Sequence, residues 1–199
     1  MTRTLSRRAA LSLAAPLFFF LEGECALAQA LAAPDAWHVI ASYGQASAPR
    51  SQGFAEAATL SVARDFPLGS RFSLDAEFTP LFVVNETRVD LPGRPREVAY
   101  AVAVAPVLAW TWAPKASRFG LRLEGGVGIF RGFSPIPAEG SRFNFLDEFT
   151  GLLFLRSGSG RLVSLGIRRV HVSNLGLAGP DNPGLSFYSG VVGLSWPAR

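Results

Sequence analysis

Arg71-Phe72-Ser73-Leu74-Asp75-Ala76-Glu77-Phe78-Thr79-Pro80-Leu81-Phe82 alternates residue by residue between two kinds of side chain. Phe72, Leu74, Ala76, Phe78, Pro80 and Phe82 fall on one face, and Arg71, Ser73, Asp75, Glu77 and Thr79 on the other. A period of two is that of a β-strand, whose successive side chains point to opposite sides of the sheet. Charges fill one face and aromatic rings the other, so two very different environments must lie on either side of this strand.

The same pattern recurs along the chain. Phe119, Leu121, Leu123, Val127 and Ile129 oppose Arg118, Arg122 and Glu124, while Val98, Tyr100, Val102, Val104, Leu108, Trp110 and Trp112 oppose a row of alanines. From Ala36 onward eight such segments can be counted, near 36–45, 54–64, 71–84, 97–112, 118–131, 142–156, 160–173 and 185–196, separated by Gly/Pro/Ser/Asp clusters. Segments of about ten alternating residues joined by turn-forming residues are the signature of a transmembrane barrel. The sequence therefore predicts an all-β fold, an eight-stranded antiparallel transmembrane β-barrel of up-and-down topology. Eight strands leave no wide pore, and Asp75, Glu77, Arg122, Glu124 and Arg168 are expected to form a charged network in the interior. The connections 65–70, 113–117 and 157–159 are short and belong on the periplasmic side. Those at 46–53, 85–96, 132–141 and 174–184 are mostly longer and belong outside. A soluble lipocalin-like barrel would turn the same faces the other way, apolar inward. Trp110, Trp112 and Trp196 near strand ends favour the membrane version, because interfacial aromatic belts lie there.

Composition agrees. Hydrophobic residues make up 49% and charged residues 17% of the 199, yet no mature segment has the uninterrupted apolar length of a spanning helix. Basic residues exceed acidic ones by only 19 to 15, too small a difference to argue for nucleic acid. Arg3, Arg7 and Arg8, the apolar run Ala9 to Leu21 and the small residues Ala26-Leu27-Ala28-Gln29-Ala30 have the order of a secretory signal. Residues 1–30 are expected to be a cleaved signal peptide and 31–199 the barrel domain. Removing the signal removes Cys25, the chain's one cysteine, so disulfides play no part. No His-Glu spacing or cysteine pair points to a metal, no glycine-rich phosphate loop is present, and no cofactor is expected. His38, with no carboxylate or second histidine near it in sequence, is read as structural.

The chemistry lies in Arg169-Val170-His171-Val172-Ser173-Asn174, followed by the turn Gly179-Pro180-Asp181-Asn182-Pro183-Gly184 and the closing run Leu185 to Trp196. On a strand, His171 and Ser173 share a face, which is the minimum for a base-activated serine nucleophile. If that face, with Val163, Leu165 and Ile167, meets lipid, the pair sits on the barrel exterior at the outer edge of the membrane. This motif and its placement resemble the outer-membrane lipid A 3-O-deacylase family (acyloxyacyl-hydrolase-like barrels). The resemblance implies an esterase that removes the 3-O-linked acyl chain of lipid A, with lipopolysaccharide of the outer leaflet as partner. It also implies that His171 is the general base, Ser173 the nucleophile and Asn174 an oxyanion-site residue.

In that family a glutamate at the start of the final strand orients the histidine. Here the neighbourhood reads Gly184-Leu185-Ser186-Phe187-Tyr188, and Ser186 is the nearest match, or Leu185 if the alignment slips by one. Three ways of filling the role are open. Asp147 shares the parity of Phe143, Phe145 and Phe149, and pairing across the turn near Gly158 would bring it level with His171. Asp181 could reach back from its loop. Otherwise Ser186 accepts a hydrogen bond without supplying charge. Arg169, on the outer face, could contact a lipid A phosphate. A non-catalytic barrel of the same fold, with a structural or surface-interaction role, is the alternative that the missing glutamate leaves standing.

Overall fold

The computed structural model describes residues 36–47, 54–87, 97–114, 117–137, 140–157, 160–176 and 184–198. The expected signal segment 1–30 and the loop carboxylate Asp181 lie outside them. Eight strands run β1 (Ala36–Ser47), β2 (Phe54–Pro67), β3 (Phe72–Thr87), β4 (Glu97–Trp112), β5 (Phe119–Ile136), β6 (Ser141–Arg156), β7 (Leu162–Ser173) and β8 (Leu185–Pro197). Each pairs antiparallel with the next, and β8 pairs with β1, so the sheet closes into a barrel in sequence order.

Alternation places the outer wall as expected. Phe119, Val127, Phe149, Leu153, Leu165 and Ile167 are more than half exposed, and Ile167 reaches 74%. A water-soluble protein does not present a continuous apolar wall of this kind; a lipid-facing barrel must. The four tryptophans, Trp37, Trp110, Trp112 and Trp196, all lie in the last turns of strand at the end that carries the short connections. The three tyrosines, Tyr43, Tyr100 and Tyr188, are all exposed on the outer face toward the other end. Two aromatic girdles thus bracket the apolar band.

Inside, the short-turn half is polar. Arg122 donates from Nη2 to Asp75 at 2.5 Å, from Nε to Glu124 at 2.6 Å and from Nη1 to Asp65 at 3.2 Å. Arg168 pairs with Glu77 and Glu148, and its Nη1 donates to Ser61 at 3.4 Å. His38 joins β1 to β8 through Ser195 Oγ at 2.6 Å and approaches Asp65 on β2 at 3.6 Å. With Thr111 on β4 accepting from Arg122, every strand contributes a side chain to one of two interior clusters, one around Arg122 and one around Arg168. The residues expected to form one network divide between the two, Asp75 and Glu124 on Arg122 and Glu77 on Arg168, with Asp65 and His38 added to the first and Glu148 to the second. Buried charges are tolerable only when paired and hydrogen-bonded, and here strands distant in sequence supply the pairs.

The loop half of the interior is apolar. Phe82, Phe130 and Phe187 meet edge to face, with centroids 5.1 and 5.8 Å apart, among Val84, Leu146, Val170, Val172 and Leu185. Phe82 is a correction to the alternation, which put it on the lipid face. The register of β3 shifts by one residue against both neighbours at Pro80-Leu81, so Leu81 is 43% exposed and Phe82 1%. Pro80 has no N–H for the ladder, and a β-bulge accommodates it by inserting an extra residue, which reverses the parity beyond. The expected loop 132–141 is also shorter than read. β5 continues to Ile136 and β6 begins at Ser141, with a register shift between Arg131 and Ile136 absorbing the prolines at the rim.

Candidate active site

Val163, Leu165 and Ile167 on β7 are exposed, and His171 and Ser173 continue the same outward face beyond them, while Ser164, Arg168, Val170 and Val172 are buried. The interior behind the pair is the phenylalanine cluster, in which Val170 and Val172 are buried. His171 is flanked in register by Asp147 on β6 and by Ser186 on β8. These are the two positions from which a side chain can reach its ring edge directly.

The ring is held on the β8 side. Its Nδ1 lies 2.8 Å from Ser186 Oγ. Gly184 shows where the opposite edge lies, because a Cβ built on it would sit 2.5 Å from His171 Cε1, 2.8 Å from Nε2 and 3.2 Å from Ser173 Cβ. Nε2 and Ser173 therefore converge on the same small space, which stays open because residue 184 is glycine. In the tautomer whose Nδ1–H donates to Ser186, Nε2 is the unprotonated nitrogen that a base needs. The sequence identified His171, Ser173 and Ser186. It treated Gly184 only as the end of a turn, and a glycine directly before the last strand was the signal available.

Asp147 pairs with His171 in register, as expected from the turn near Gly158. Its carboxylate, however, accepts from Arg169 Nη1 at 2.7 Å and not from the imidazole. Arg169 is thus an outward cation beside the pair, with Tyr188 opposite it on β8. Asn174 continues the inward face of Val170 and Val172. It is buried, and its Oδ1 accepts the Gly176 N–H at 2.9 Å, an Asx turn that turns the chain out of β7 through left-handed Leu175 and Gly176 (φ 54° and 77°). Its side-chain carbonyl is spent on the turn above Ser173.

Away from this site, one ligand atom each of His38, Asp65 and Asp75 lie within 4.8 Å of one another. Arg122 already donates to both carboxylates, so the cation of that cluster is a guanidinium.

An apolar wall between aromatic girdles, with a His–Ser pair at its loop end, defines an outer-membrane β-barrel hydrolase. The family model described as Lipid A 3-O-deacylase (PagL) matches residues 29–195, and the chain belongs to that family, whose activity is lipid A 3-O-deacylation in the outer membrane. The crystal structure of the outer membrane enzyme PagL matches with a TM-score of 0.55 at 22% identity, covering 78% of this chain and 97% of that one. Neisserial surface protein A matches with a TM-score of 0.57 at 10% identity, covering 80% and 94%. At these identities the structures speak for the fold alone. No curated protein sequence matches the chain.

Proposed function

We propose that the chain hydrolyses the 3-O-linked acyl ester of lipid A through an acyl-enzyme on Ser173. Ser173 Oγ attacks the ester carbonyl while His171 Nε2 takes its proton. The tetrahedral intermediate collapses as His171 returns that proton to the leaving 3-hydroxyl. Water then attacks the acyl-enzyme with His171 again as base, releasing the fatty acid. Ser186 accepts from Nδ1–H and fixes the tautomer, a task that elsewhere falls to a carboxylate. Asn174 sets the turn above the nucleophile. Ile167, Leu165 and Val163 continue the outer face of β7 below the pair, a path for an acyl chain already in the outer leaflet, and Arg169 is placed to meet a phosphate of the headgroup.

The observation that carries this reading is the convergence of His171 Nε2 and Ser173 on the space at Gly184 while Nδ1 is held by Ser186. A serine-directed fluorophosphonate tests it. Intact-mass analysis should find one adduct on the folded barrel, absent in Ser173→Ala and slowed at least tenfold in His171→Ala. Equal labelling of parent and His171→Ala would mean that the histidine does not activate the serine and would favour a non-catalytic barrel.

A further inference from the structure

We propose that Asp147 is a positioning residue for His171, withheld by the Arg169 guanidinium until a phosphate of the lipid headgroup takes its place. The inference rests on the deacylase reading above. Asp147 and His171 are directly opposed on adjacent strands, where Cβ atoms lie about 4.5–5.5 Å apart, within reach of a carboxylate. Asp147 instead accepts one hydrogen bond of 2.7 Å from Arg169, a diagonal neighbour whose guanidinium also hydrogen-bonds Tyr188. The side chains of Arg169 and Asp147 are 40% and 46% exposed, and a single ion pair so exposed holds weakly. A phosphate offers Arg169 a bidentate, doubly charge-assisted partner in its stead.

The imidazole can follow. Cε1 and Nε2 lie at nearly equal distances, 2.5 and 2.8 Å, from the point above Gly184. A half-turn of the ring about Cβ–Cγ exchanges them, carrying Nδ1 away from Ser186 on β8 to the side of Asp147 on β6, while Nε2 takes the place of Cε1 and remains beside Gly184. The imidazolium formed during reaction then faces a carboxylate instead of a neutral hydroxyl. Catalysis is thereby tied to the presence of an anionic headgroup, and the substrate class is a phosphorylated lipid.

The test measures kcat and KM in neutral detergent on phosphorylated lipid A, on dephosphorylated lipid A, and on the latter with phosphatidylglycerol. Asp147→Asn should lower kcat on the phosphorylated lipid at least tenfold with KM within twofold. Arg169→Ala should raise KM for that lipid and raise kcat on the dephosphorylated one at least threefold, a gain that Asp147→Asn added to Arg169→Ala removes. Phosphatidylglycerol should leave the dephosphorylated lipid slow, and restoration of its rate would overturn assignment of the anion to the substrate itself. Wild-type kcat in Asp147→Asn, or an Arg169→Ala gain that survives it, would overturn this inference alone. A parent inert on every substrate would overturn the deacylase reading with it.

Discussion

Gly184→Ala is the most direct perturbation of the site's geometry. The new methyl would lie 2.5 Å from His171 Cε1 and 2.8 Å from Nε2, where apolar contacts settle at about 3.5–4.0 Å. The ring must therefore retreat by roughly 1 Å, and Ser173, 3.2 Å from the same point, must give by a few tenths. A misplacement of about 1 Å at a reacting centre costs on the order of 10²-fold in rate. Because Gly184 precedes β8 and packs against outward-facing groups, the barrel should still close. The assay is a time course of fatty-acid release from detergent-solubilised lipid A, with heat-modifiable electrophoretic mobility confirming the fold. The expected result is a folded variant with kcat reduced about 100-fold and KM little changed. Activity within twofold of the parent would refute the claim that the ring's position above Gly184 is the productive one.

Other changes separate the roles of neighbouring residues. Ser186→Ala removes the partner of Nδ1 and should lower kcat at least tenfold on dephosphorylated lipid A, where Arg169 keeps Asp147 from the ring. Ser186→Glu places a carboxylate at the position that the resemblance gives to the orienting acid, and should raise kcat by tenfold or more, given that loss of such a carboxylate can cost about 10⁴; both are read by the same release assay. Arg168→Met leaves Glu77 and Glu148 buried without their common cation, a loss of about 3–5 kcal/mol, seen as a lower temperature for the heat-induced mobility shift. Phe82→Ala empties the centre of the aromatic cluster and should destabilise by about 3–5 kcal/mol, measured the same way. An unchanged transition in Phe82→Ala would mean that the ring does not face the interior.

Where charge opposed apolar side chains on every other residue, the sequence alone located strands and faces. Arg122 and Glu124 had one side to occupy once Phe119 and Leu123 faced lipid. The period-two count failed at Pro80-Leu81, because a bulge adds a residue without leaving a mark in the alternation, and Phe82 changed sides. It failed again after Arg131, where prolines that usually end strands are carried at the rim. His38 looked isolated because its hydrogen-bond partner Ser195 lies 157 residues away, and only barrel closure joins β1 to β8. In the site, the level of Asp147 with His171 followed from counting across a turn. The capture of Asp147 by Arg169 did not, since a diagonal neighbour competes through side-chain length and not through register. Asn174 follows the alternation inward with Val170 and Val172, and the Asx turn that uses its carbonyl leaves no mark in that alternation.

The central claim is that Ser173 and His171 remove an acyl chain from lipid A. Mass spectrometry of lipid A from outer membranes carrying this chain, beside matched membranes carrying Ser173→Ala and His171→Ala at equal levels of folded barrel, tests it most directly. The account predicts loss of one hydroxyacyl chain with the parent and intact lipid A with both variants. Intact lipid A in all three, or the same loss in all three, would contradict it.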